Sequence, residues 1–271
     1  MFGKIELEGT EMGIQLIGIV GLPGAGKSTA LEAVQHLGPI FIMGNVVREE
    51  LVKNLTQIPY GEVVEVEQEL IKDGLPEKEI LKLCDVHSEV LHGKIDLSSS
   101  KNVPEGHPVD TMIRENVELK KVASEIEQLL LEINNTEESQ LNQIIIKLRS
   151  LFNSLYDVDK HYQRKEYLLF PFLEKQGITG PPKVMWGKHD EIRELIKGSI
   201  ELLKTQGITK EEIISSAQII LFPTIKAVVD MTKKEEEILL PMCLDKLTDY
   251  DWYEIYKQSL EIGFCLYDPK K

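Results

Sequence analysis

The chain has little of three things. Only three cysteines occur in 271 residues, Cys84, Cys243 and Cys265, scattered and without paired spacing. That argues against a disulfide framework and favours a reducing compartment. Basic charge is also short: 31 lysines and arginines face 45 acids, for a formal net charge of −14. Residues 1–48 sum to −1, so the remaining −13 falls in residues 49–271. Such a charge balance repels nucleic-acid phosphates and argues against a nucleic-acid partner. No uninterrupted apolar run approaches the roughly 18–20 residues that cross a bilayer. No membrane partner is expected, and the expectation is a cytoplasmic protein. The length allows one large domain or two small ones, with ample core.

What the chain does have is helix, with one exception at the start. "IQLIGIV" is an apolar, β-branched run that predicts a buried strand. "KSTALEAVQHLG" predicts a helix closed by Gly38, and "PIFIMG" a second strand. Between the first strand and the helix stands "GLPGAGKST", a full match to the phosphate-binding loop pattern. Gly21, Gly24 and Gly26 would free backbone N–H groups for phosphates at the positive end of the helix. Lys27 would reach the β- and γ-phosphates, and Ser28, followed by Thr29, would hold Mg²⁺ beside ATP. The glycines and the lysine explain this apolar stretch better than a signal peptide does.

From about residue 47 the chain reads as one helix after another. Three short ones are predicted near 47–56, 62–73 and 77–92, then a polar linker, "HGKIDLSSSKNVPEGHP". Four long helices follow near 108–133, 137–175, 183–205 and 209–244, separated by "NNTE", "QGITGPP" and "QGITK". Four helices of that length with short connections predict an up-down four-helix bundle. The expected class is mainly α, with a short α/β segment in front. The expected units are a phosphate-loop segment at 1–48 and a helical module at 49–95. A linker at 96–106, a bundle at 107–246 and a C-terminal helix and tail at 247–271 complete them.

Three resemblances sharpen this outline. Residues 14–50, which include "IGIVGLPGAGKSTALEAVQHLGPIFIMGNVVREE", resemble the start of prokaryotic P-loop nucleotide kinases. The rest of that fold has no counterpart here, so a kinase is the alternative and a binding module the main expectation. "EQELIKDGLP" and "LCDVHSEVLHG" resemble an uncharacterised helical domain that precedes hemerythrin-like domains in prokaryotes. "GHPVDTMIRENVELKKV", "HYQRKEYLLFPFLEK", "KVMWGKHDEIRELIK" and "KKEEEILLPM" resemble, in order, the helices of the hemerythrin-like (HHE) bundle.

The hemerythrin resemblance implies an interior site built from histidines and carboxylates for one or two iron ions. It also implies sensing or handling of oxygen, nitric oxide or redox state, with a signalling partner protein. Lys165 stands where the family has a bridging glutamate after His161, and Glu166 is one place further. Arg193 stands where a second histidine follows His189, and Met231 where the last helix has its histidine. On the first helix the usual histidine falls near Asn116. Inward Lys165 and Arg193 carry the wrong sign for two irons, so an oxygen-carrying di-iron centre is not expected. Three readings stay open. His161, His189 and Glu235 or Glu236, joined by His107 and Glu166, hold one iron or zinc. Alternatively, a histidine and Met231 ligate haem. In the third, Lys165 and Arg193 pair with Glu235 and Glu236 in a ligand-free adaptor. The twice-written pattern, charged residues and then Leu-(Phe/Leu)-Pro, is expected where two helices feed one centre and the proline stops the regular bonding.

Overall fold

His107, Pro108 and Asp110 start the first long helix. The His107 ring caps it, its Nδ1 accepting the Val109 N–H at 3.1 Å, and Pro108 occupies the first turn, where its missing N–H costs nothing. This helix, α1 (Pro108–Glu132), opens the part of the chain that a computed structural model describes, residues 103–269 and the backbone of 58–59 and 95–96. The chain divides into two compact units, Met1–Asn54 and Leu55–Lys271. The phosphate-loop segment and the helices expected between 47 and 92 lie outside the described residues. In the second unit a short parallel pair joins β1 (Ile58–Pro59) to β2 (Ile95–Asp96).

The bundle follows from buried stripes at three- and four-residue spacing. On α1 the stripe is Met112, Glu115, Asn116, Leu119, Ala123, Ile126 and Leu130; on α2 (Glu138–Leu155) it is Leu141, Ile145, Leu148, Phe152 and Leu155. The second long helix is not continuous as expected. It turns at Tyr156–Asp157 into α3 (Val158–Arg164) and continues to α4 (Phe170–Lys175). The third is α5 (Gly180–Lys204). The fourth runs through α6 (Lys210–Ser216), α7 (Phe222–Lys234) and α8 (Leu240–Lys246). Helix α1 packs on α2 and α7, and α5 on the same two, which closes a ring of four. Both "QGIT" connections turn on a glycine with positive φ, Gly177 at 81° and Gly207 at 69°, a conformation few other residues adopt without strain.

Two features go beyond the sequence outline. By length and composition the fourth helix, Lys210–Lys246, would suffice to cross a membrane; in the bundle its α7 part packs against α1 and α5, and about a third of its most apolar stretch is buried. The bonding also widens to π form at Lys165–Leu169, Ala217–Leu221 and Glu235–Leu239. The N–H groups of Phe170, Phe222 and Leu240 reach back five residues to Lys165, Ala217 and Glu235. Two residues beyond each widened turn stands a proline: Pro171, Pro223 and Pro241. A proline ring inside a regular helix collides with the carbonyl four residues back, here that of Tyr167, Ile219 or Glu237. The wider turn displaces that carbonyl, so the helix passes through the proline. The repeated Leu-(Phe/Leu)-Pro therefore shifts the register of the bonding and does not stop it.

The tail completes the core. Helix α9 (Asp249–Ile262) buries Trp252 and Ile255 against α1 and α3. A reciprocal cap starts it: the Thr248 side chain accepts from the Asp251 N–H, and the Asp251 carboxylate accepts from the Thr248 N–H at 2.8 Å. Thr248→Ala is expected to lower the unfolding free energy by about 1 kcal/mol. Urea unfolding followed by circular dichroism checks it, and an unchanged midpoint would mean that the cap adds nothing.

Candidate metal centre

Inside the four helices the apolar stripes give way to charge. Glu115 on α1, His161, Arg164, Lys165 and Glu166 on α3 and the turn after it, His189 on α5 and Glu235 after α7 are all buried. Arg164, Lys165 and Glu166 are consecutive, yet all three avoid solvent, because the widened turn at 165 keeps neighbours on the interior face. The side chains form two groups.

In the first, a line of contacts runs from Arg164 through Glu115, His161 and Glu235 to Lys165. The Arg164 guanidinium donates to Glu115 Oε2. The same oxygen lies 2.7 Å from His161 Nδ1, and His161 Nε2 lies 2.9 Å from Glu235 Oε2. Lys165 Nζ donates to the other Glu235 oxygen at 2.6 Å. The Cys265 N–H in the tail donates to Glu115 Oε1 at 2.6 Å, so the segment after α9 closes this end of the bundle. Burial opposes the charge on Glu235, but Lys165 and His161 beside it overcome that and hold its pKa well below the usual carboxylate range. Burial also opposes the charge on Glu115; the neighbouring His161 and Arg164 prevail, and its pKa falls. For Lys165 burial dominates, and its pKa is lowered despite Glu235.

The second group centres on Glu166. Its Oε1 accepts from His189 Nδ1 at 2.8 Å and from Arg193 Nη1 at 2.9 Å, and its Oε2 accepts from Arg193 Nη2 at 2.8 Å. Arg193 also holds Asp159 at 2.7 Å and Asp190 at 2.8 Å. Burial pushes the His189 pKa down to about 4, against the pull of Glu166, so the ring is neutral at neutral pH. Tyr162 touches both groups: its ring stacks on His189 at 3.9 Å between centroids and lies 6.1 Å from that of His161. Among the described residues four buried side chains keep polar atoms without a partner: Asn116 at both amide atoms, Tyr162 at Oη, Arg164 at Nε and His189 at Nε2.

His161, His189, Glu166 and Glu235 thus turn inward as the sequence reading requires, though not around one point. His107 and Glu236 do not join them. His107 is used as the cap of α1, against Trp252 at 4.8 Å. Glu236 is one residue round the helix from Glu235 and faces outward, half-buried, to Lys120 at 2.8 Å. Lys165 takes Glu235 as expected, whereas Arg193 takes Glu166, Asp159 and Asp190 in place of Glu236. Met231 packs in the apolar core and lines a groove of about 1110 Å³ that no histidine reaches, so a His/Met haem pair is not assembled. Sequence reasoning missed Glu115 and Arg164. Glu115 was legible as the residue beside Asn116 on the buried stripe; Arg164 was not, because its burial depends on the widened turn.

Two ions do not fit these side chains. Among the described residues no three histidine, cysteine, aspartate or glutamate side chains stand as a ready ligand cage even for one ion, so an ion bound here has to draw side chains out of their present contacts. The buried acids already hold cations: Glu115 has Arg164, Glu235 has Lys165 and Glu166 has Arg193. A divalent ion about 4 Å from the Lys165 ammonium would be repelled by about 8 kcal/mol at an effective dielectric of 20. One donor is open. His189 Nε2 is buried and unpartnered, while its Nδ1 is fixed on a carboxylate, as in metal-ligating histidines.

Comparison with known families agrees with this architecture. The profile described as "Family of unknown function (DUF438)" matches residues 43–97, and that described as "Hemerythrin HHE cation binding domain" matches residues 107–243. The matches leave residues 1–42 uncovered, so the phosphate-loop reading and its ATP gain no support from them. No curated protein matches the chain. With a cation-binding profile spanning half its length, over the four helices that enclose the buried acids and imidazoles, the chain belongs to the hemerythrin HHE cation binding domain family.

Proposed function

We infer that the bundle is a metal-binding sensing module that takes one iron ion at His189 and responds to oxygen, nitric oxide or redox state by binding, without turnover. What supports this reading is the open Nε2 of a neutral, fully buried imidazole in a fold of the cation-binding family. Bound iron would supply an exchangeable position for a diatomic ligand and a one-electron change of charge. The chain's own residues do the rest. Glu166 fixes the ring orientation through Nδ1, and Tyr162 covers one face of the imidazole. The Arg193 guanidinium keeps Glu166 in place with two parallel bonds. His161 and Glu235 would join as ligands only by releasing each other. The segment ahead of the bundle, residues 43–97, would pass the signal to a partner protein.

The test is iron per chain after anaerobic loading with Fe(II), with an absorption spectrum. The wild type is expected to hold about one iron and His189→Ala none, while His107→Ala and Glu236→Gln keep the wild-type content. Equal iron in wild type and His189→Ala, or none in the wild type, would remove this function.

A further inference from the structure

Among the described residues each of the three buried glutamates meets a side-chain cation directly: Glu115 meets Arg164, Glu235 meets Lys165, and Glu166 meets the partly buried Arg193. Two of those cations, Lys165 and Arg193, occupy positions where the family resemblance calls for a glutamate and a histidine donor. We propose that Lys165, Arg164 and Arg193 stand in for a metal ion of a two-ion centre, so that the bundle holds its acids together with its own cations and is closed to a second ion.

Three observations carry this. The cations sit on the carboxylates themselves: Lys165 Nζ is 2.6 Å from Glu235, and Arg193 grips both oxygens of Glu166. They are not surface groups folded in by chance, since Lys165 and Arg164 are fully buried and lie over aromatic rings, Lys165 at 5.4 Å from the Tyr162 centroid and Arg164 at 5.0 Å from that of Phe264. The line Arg164–Glu115–His161–Glu235–Lys165 also ties helices from opposite sides of the bundle through one imidazole, the cross-linking that a bridging ion gives. A cation on a flexible stem is already in place when the chain folds, so the acids need no ion from outside. The inference rests on the one-ion reading only for the number of ions, one, that remains in the wild type.

Two experiments decide it. The first restores the donors: Lys165→Glu, Arg193→His and Met231→His together, loaded anaerobically with Fe(II) or Zn(II). The variant is expected to hold at least one more ion per chain than the wild type and to unfold at a higher temperature with metal than without. The second removes a cation and adds no carboxylate or imidazole: Lys165→Met is expected to melt lower than the wild type. Zn(II) should restore at least half of that loss and raise the Lys165→Met midpoint by more than it raises that of the wild type. Two ions in the wild type would overturn the proposal. So would a restored, helical variant that gains no ion, or a Lys165→Met protein indifferent to Zn(II). A wild type without any ion, beside a restored variant that gains one, sinks the function proposed for His189 and leaves this inference standing. If the restored variant does not fold, the Zn(II) response of Lys165→Met decides alone.

Discussion

Lys165→Met without added metal is expected to destabilise the bundle by about 3–5 kcal/mol, the usual effect of leaving one member of a buried ion pair alone. For a domain of this size that lowers the melting temperature by roughly 10 °C or more. The reason lies in Glu235, which has no exposure and keeps its charge because Lys165 and His161 offset the effect of burial. With Lys165 gone, Glu235 must be protonated or stay charged in a low-dielectric interior, and either state is costly. Replacing both partners, Lys165→Met with Glu235→Leu, is expected to recover part of the loss, because no carboxylate is left uncompensated, although His161 Nε2 loses its partner. Thermal unfolding of the single and double variants is the check. A shift under about 2 °C for the single variant would mean that the pair does not form.

Acid is expected to weaken the metal-free protein in two separate windows. His189 is neutral when folded, with its pKa pushed down to about 4, and it takes its ordinary value of about 6.5 when unfolded. Between those values the unfolded chain binds the extra proton, so stability falls as pH drops from about 6.5 to about 4 and then levels off for this group. The size is on the order of 3 kcal/mol. Glu115, Glu166 and Glu235 have folded pKa values below their unfolded ones. Their contribution is complete above the unfolded carboxylate pKa and disappears as pH falls through the folded values. Urea unfolding between pH 7 and 4 measures the first window, and His189→Gln should flatten it. A His189→Gln profile with the wild-type slope would place the proton elsewhere.

The architecture was largely legible in the sequence, because helix periodicity and short breaks survive reading one residue at a time. The "QGIT" breaks fall where the two positive-φ glycines end their helices, and His107 beside Pro108 marks the start of α1. The interior was legible in part. Reading i and i+4 correctly put Lys165 on the inner face, yet gave no reason for Arg164 and Glu166 to share it. That needs a turn wider than 3.6 residues, and the only local sign of one was the proline two residues past each such turn. The place of Glu115 on the inner stripe was legible, but its partners, 46, 49 and 150 residues away, were not, because they depend on tertiary packing.

A π turn is a helix carrying one residue more than its length requires. In an ordinary helix a single deletion swings everything beyond it by about 100°, which turns a buried stripe to solvent. At 165–169, 217–221 and 235–239 the same deletion, made together with replacement of the proline that follows, removes only the excess and leaves the far end aimed as before. Chain length can therefore drift by one at three places without disturbing the bundle, and at two of them the residues lost or gained belong to the charged interior. The scaffold can outlast changes in its own centre.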